Sequence, residues 1–139
     1  MKTKSKTLTY ILDNNGNVIP EEDSLKWSKW MDFGNVGSNR IIRQTQIGGY
    51  LISTVFLGLD HGFSMSNDDN EDPVVFETMI FFDNNKDIVK KLPDEYNREA
   101  MWRYKYIQEA IFNHDGLVNC LYLMAKEQGL CFEVIEKKK

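Results

Sequence analysis

The sequence predicts an α+β fold, an antiparallel sheet packed by a long C-terminal helix and a shorter N-terminal helix. Three observations carry this. From Ile107 to Ala125 apolar residues recur at spacings of three and four, the period of one helical face. Two runs, Tyr50 to Leu59 and Val74 to Phe82, are apolar at both parities, the pattern of central strands covered on both sides. Tight-turn pairs, Asn15-Gly16 and Gly48-Gly49, stand between strand-like runs, where they join antiparallel neighbours.

Taken in order, Thr7 to Leu12 reads as a short strand closed by Asp13-Asn14-Asn15-Gly16, because Asn and Gly tolerate the positive φ of a tight turn. Asn17 to Ile19 is a brief return strand before Pro20. A helix follows, with Asp23 or Ser24 as its cap, Leu25, Trp27, Trp30 and Met31 as its apolar content, and Gly34 and Gly37 at its end. Arg40 to Ile47 is β-branched at Ile41, Ile42, Thr45 and Ile47, and Gly48-Gly49 turns it into Tyr50–Leu59. An acidic loop from Asp60 to Asp72 leads through Pro73 into Val74–Phe82. Asp83 to Glu99 is polar and turn-rich, and Trp102 to Tyr106 reads as a further strand. The long helix carries Ile107, Ala110, Ile111, His114, Leu117, Val118, Leu121, Met124 and Ala125 on one stripe, with Gly129 as its stop. Cys131, Phe132, Val134 and Ile135 close the sheet ahead of a lysine tail.

Composition sets the class. At 139 residues and 42% hydrophobic, the chain makes one domain, 1–139, whose core needs no disulfide or metal. Its basic ends, 1–6 and 136–139, are expected to be flexible. Aromatic content of 12% excludes intrinsic disorder. No apolar run reaches the roughly 18 residues of a membrane span, and Met1 to Thr7 precedes no secretory core. The net charge of −4 is unevenly spread. Lys2, Lys4, Lys6, Lys137, Lys138 and Lys139 read as solvated tails, since no aromatic or arginine residues interleave with them as a nucleic-acid binder requires. Asp68, Asp69, Glu71 and Asp72 form an acidic run, either a solubilising loop or a surface imitating nucleic-acid phosphate; Asp94, Glu95 and Glu99 form a second acidic group. Cys120 and Cys131 lack metal or redox spacing, and their apolar surroundings suit buried free thiols in the cytoplasm.

The segments Leu59-Asp60-His61-Gly62-Phe63 and Phe76-Glu77-Thr78-Met79-Ile80-Phe81 resemble a family of small, uncharacterised proteins of bacteriophages, prophages and bacteria. Tyr10-Ile11-Leu12-Asp13 with Gly16 and Pro20, Trp27 with Trp30, and the Arg103-Tyr104 pair extend the resemblance to about Val118. Two departures stand out: Asn113 takes the place of a glycine before His114, and the acidic run replaces a Gly/Pro-rich link. The resemblance implies a phage or mobile-element setting in a host cytoplasm and assigns no catalytic residues.

The chemistry rests on few residues. His61 follows a central strand beside Asp60, where strand-end loops build sites, yet neighbours in an extended chain point apart. The expected role is therefore a loop-locking hydrogen bond from the imidazole to nearby backbone. His114 lies on the apolar stripe and reads as a satisfied core histidine. Glu77 shares a strand face with Val75, Met79 and Phe81, so its carboxylate needs an ion-pair partner, with Arg43 the first candidate and Arg103 the second. Asp60, His61, Glu77 and His114 have suitable types for zinc or manganese but no recognised ligand spacing. No Gly-x-Ser-x-Gly elbow or phosphate loop is present. The expectation is a binding protein without turnover, cofactor, metal, membrane contact or direct nucleic-acid contact. It engages a host or phage protein, such as a defence nuclease with a basic nucleic-acid channel, through the Ser64–Asp72 loop with Asp68, Asp69, Glu71 and Asp72, and through the polar Asp83–Glu99 segment. The alternative is a small metal-dependent or acid–base enzyme using Asp60, His61 and Glu77.

Overall fold

A computed structural model describes residues 8–31, 38–47, 50–62, 72–82, 101–127 and 134–138. The architecture is α+β. Strands β1 (Tyr10–Leu12) and β2 (Val18–Pro20) pair antiparallel, Leu12 opposite Val18, as a small separate sheet. Asp13 builds their turn: its Oδ1 accepts the backbone N–H of Asn15 and of Asn17, each at 2.8 Å, while Gly16 adopts φ 83°. The bonds from Asn17 hold the Asp13 carboxyl below its usual range. Helix α1 (Ser24–Met31) is capped by Asp23, whose Oδ1 accepts from the N–H of Leu25 and Lys26 at 2.9 and 3.2 Å. Met31 is fully buried, Trp27 and Trp30 pack partly, and Leu25 faces solvent.

The main sheet has five antiparallel strands in the order β6-β5-β4-β3-β7. These are β3 (Ile41–Ile47), β4 (Tyr50–Phe56), β5 (Phe76–Phe82), β6 (Met101–Tyr104) and β7 (Val134–Lys138). Ile47 lies opposite Tyr50, the register expected of a two-residue link, although Gly48 and Gly49 are outside the described residues. Helix α2 (Ile107–Glu127) lies across one face and buries Ala110, His114, Leu117, Leu121 and Ala125. That stripe is the one its periodicity predicts.

Several strand ends differ from expectation: β2 is Val18–Pro20 rather than Asn17–Ile19, β5 begins at Phe76 rather than Val74, β6 is Met101–Tyr104 rather than Trp102–Tyr106, and two more differ for visible reasons. β4 stops at Phe56 because Gly58 turns the chain with φ 74°, so that its carbonyl receives both the Tyr10 N–H and the Trp27 indole. The C-terminal tail reading is corrected over Glu136–Lys138: β7 continues through Lys138, which lies opposite Arg43. An edge strand needs backbone pairing on one side only, and lysines are tolerated there. The expected helix stops at Gly34, Gly37 and Gly129, the Asp83–Glu99 segment, residues 1–6, and Cys131 with Phe132 lie outside the described residues. Cys120 is a free thiol on α2, half-buried rather than buried.

The core is split. One apolar cluster joins the hairpin and α1 to Ile42, Phe56, Val75, Phe76 and Ala110; the other joins Ile47, Tyr50, Ile52 and Ile80 to Leu117, Leu121 and Ala125. Between them four elements each contribute a buried polar residue: Thr45 on β3, Thr54 on β4, Thr78 on β5 and His114 on α2.

Candidate functional site

This polar layer is closed on itself. His114 is fully buried, with Nε2 2.8 Å from Thr45 Oγ1 and Nδ1 2.7 Å from Thr54 Oγ1, which in turn lies 2.6 Å from Thr78 Oγ1. A neutral imidazole carries one N–H and one lone pair, and each finds a hydroxyl. Burial lowers the His114 pKa to about 4, opposed by the neighbouring Asp115 and reinforced by Arg43. Substrate has no path to such a ring, and the histidine acts as a structural element that ties helix to sheet.

Glu77 and His114 do not converge, because the sheet separates them. Thr54 opposite Thr78 faces α2, so Glu77, one residue away, faces the other side. There its Oε2 accepts from Arg103 Nε at 3.0 Å, across a directly opposed pair of β5 and β6. The expected pairing with Arg43 is therefore corrected in favour of the second candidate. Arg43 sits opposite Thr54, beyond an irregularity in β3, and reaches Asp115 on α2 at 2.6 Å and Glu136 on β7 at 3.8 Å. Strand parity, which sequence proximity does not reveal, decides the partner.

Asp60 follows the Leu59 bridge to Thr9 and is buried. Its Oδ1 accepts from the N–H of Gly62 at 2.9 Å and of Val74 at 3.0 Å, clamping the chain beyond β4 onto the approach to β5. The loop lock expected of the His61 imidazole is thus supplied by the Asp60 carboxylate, while His61 contributes its backbone N–H to Val74 O at 2.8 Å. Among the described residues, no group of three or more His, Cys, Asp or Glu side chains could hold a metal ion. Likewise, no described helix is long and apolar enough to cross a membrane.

Of the acidic run, Asp68, Asp69 and Glu71 lie outside the described residues; Asp72 lies within them, exposed. It stands on a cleft of about 420 Å³ where the β1–β2 hairpin, the approach to β5 and the start of α2 meet. Tyr10, Val18, Pro73, Phe76 and Ile107 form its apolar wall; Asn17, Asp72, Lys105 and Gln108 bring polar groups to it. The Tyr106 hydroxyl donates to Asp72 Oδ2, fixing the carboxylate at the rim, and Tyr106 itself is 51% exposed. An apolar concavity with a few placed polar groups is the general form of a recognition site. Sequence reasoning picked out Asp72 by charge and missed the cleft, whose wall is drawn from four separate segments. The Asn15-Gly16 turn was the one local signal, since it brings the hairpin over Ile107.

The comparisons add no relative: no family model, curated protein or solved structure matches the chain.

Proposed function

We propose that the protein acts by binding a protein partner, with the acidic run and the adjoining cleft as its contact surface. The observation that supports this most is the position of Asp72, the last residue of the run, held by Tyr106 on a partly apolar cleft. Charge beside a concavity gives both long-range attraction and a place for a side chain to enter. The partner surface that fits is basic, of the kind that lines a nucleic-acid channel, and a host defence nuclease in a phage-infected cell is the setting that the family resemblance favours. The polar atoms of the enzyme alternative have structural work instead: Asp60 Oδ1 clamps a loop and Glu77 Oε2 holds Arg103.

Capture from a host lysate by the immobilised protein tests the proposal. Neutralising Asp68, Asp69, Glu71 and Asp72 together abolishes capture while leaving the unfolding midpoint in place, and His61→Ala changes neither. Capture that survives neutralisation contradicts the role of the run. Loss of the biological effect in a folded His61→Ala protein that holds stoichiometric metal replaces the binding reading with the enzyme one.

A further inference from the structure

The cleft has the chemistry to define what enters it. We infer that it seats an arginine side chain from a basic segment of the partner, an inference that rests on the binding role proposed above. Three features at the cleft converge on a guanidinium. Asp72 offers a carboxylate, and the Tyr106 hydroxyl on its Oδ2 fixes the direction in which that carboxylate points. Tyr106 is half-exposed, so its ring presents surface to solvent next to that carboxylate. A planar guanidinium stacked on the ring meets the carboxylate at its edge, combining cation–π attraction with a charge-assisted hydrogen bond.

Val18, Pro73 and Ile107, each part-exposed, line the cleft with apolar surface suited to the methylene stem of a long side chain. Asn17 and Gln108 stand on the same cleft, with amides able to meet the flanking peptide groups. Lysine lacks the planar fork and the stacking surface, so it fits this arrangement less well. The cleft then fixes the register of the basic segment.

The test uses Nα-acetylarginine methylamide titrated into the isotope-labelled full chain, followed by amide and methyl chemical shifts. Saturable shifts centred on Val18, Phe76 and Ile107 are expected. The citrulline counterpart, isosteric but uncharged, is expected to bind about tenfold more weakly, as is the arginine probe to Asp72→Asn. Because Asp72 is exposed, Asp72→Asn leaves the fold intact, which the unperturbed spectrum of the remaining amides verifies. Absence of saturable shifts at the cleft, or equal binding of the citrulline probe, overturns the inference. A chain that loses its partner on neutralisation of the run but ignores the arginine probe keeps the binding role and refutes the arginine seat. A chain that binds the probe yet captures its partner with the whole run, Asp72 included, neutralised keeps an arginine site but refutes that site and the run as the partner's contact.

Discussion

At the scale of single residues, His114 is the most consequential side chain in the core. Its folded pKa of about 4 lies below the unfolded value near 6.5, so between those limits the unfolded chain binds more protons. Stability from this residue is therefore full above about pH 6.5 and falls as pH drops toward 4, by about 3 kcal/mol. Urea unfolding across that window shows the slope, and His114→Leu flattens it. The same substitution costs about 1–3 kcal/mol at neutral pH, because the Thr45 and Thr54 hydroxyls lose their partner in the core. Replacing all four members of the layer by apolar residues costs less than the sum of the single changes, since no hydroxyl is then left unsatisfied. Glu77→Gln is expected to cost about 1 kcal/mol, the lower end for such pairs, because Arg103 is partly solvated. A double-mutant cycle finds coupling between Glu77 and Arg103 and none between Glu77 and Arg43; the opposite result contradicts the register.

Between elements, the contacts that fix the fold are made at a few backbone positions. Gly58 is one: a Cβ there would lie 2.6 Å from Met31 Cε and Sδ, and the φ of 74° disfavours any L side chain. Gly58→Ala displaces the buried end of the Met31 side chain and strains the backbone at φ 74°, and is expected to destabilise by about 1–3 kcal/mol. Gly116, on the exposed side of α2, has open space where a Cβ would stand, with nothing within 4 Å of it. Gly116→Ala therefore stabilises by about 0.5–1 kcal/mol through helix propensity alone. Paired thermal or urea midpoints check the contrast; equal effects refute the packing at Gly58. The helical stripe of α2, the Asp23 cap and the antiparallel pairing of β3 with β4 were legible because periodicity and turn chemistry are local properties. β7 beyond Ile135 was not, because Glu136, Lys137 and Lys138 carry the charges of a tail while their backbone completes an edge. The threonines of the polar layer were equally hidden. Each reads as an ordinary strand residue, and only strand register brings the three around His114.

For the whole molecule, the division of labour runs between a core that is fully determined and a rim that carries charge. The helix-facing side of the sheet is filled by two apolar clusters and the histidine layer. The sequence pointed to the acidic run by composition. It could not reveal the cleft beside Asp72, because Tyr10, Val18, Phe76 and Ile107 come together only once the hairpin, β5 and α2 have docked. It likewise paired Glu77 with the arginine of the preceding hairpin, because only the pairing register of β5 with β6 shows that Arg103 lies directly opposite Glu77. The central proposal is that the acidic run captures a basic protein surface. The most direct measurement is the association rate of the captured partner with wild-type and acid-neutralised protein as salt is raised. Electrostatic capture predicts a wild-type rate that falls about tenfold or more from low to high ionic strength, with the neutralised protein slow throughout. A wild-type rate that is independent of salt and equal to that of the neutralised protein would contradict it.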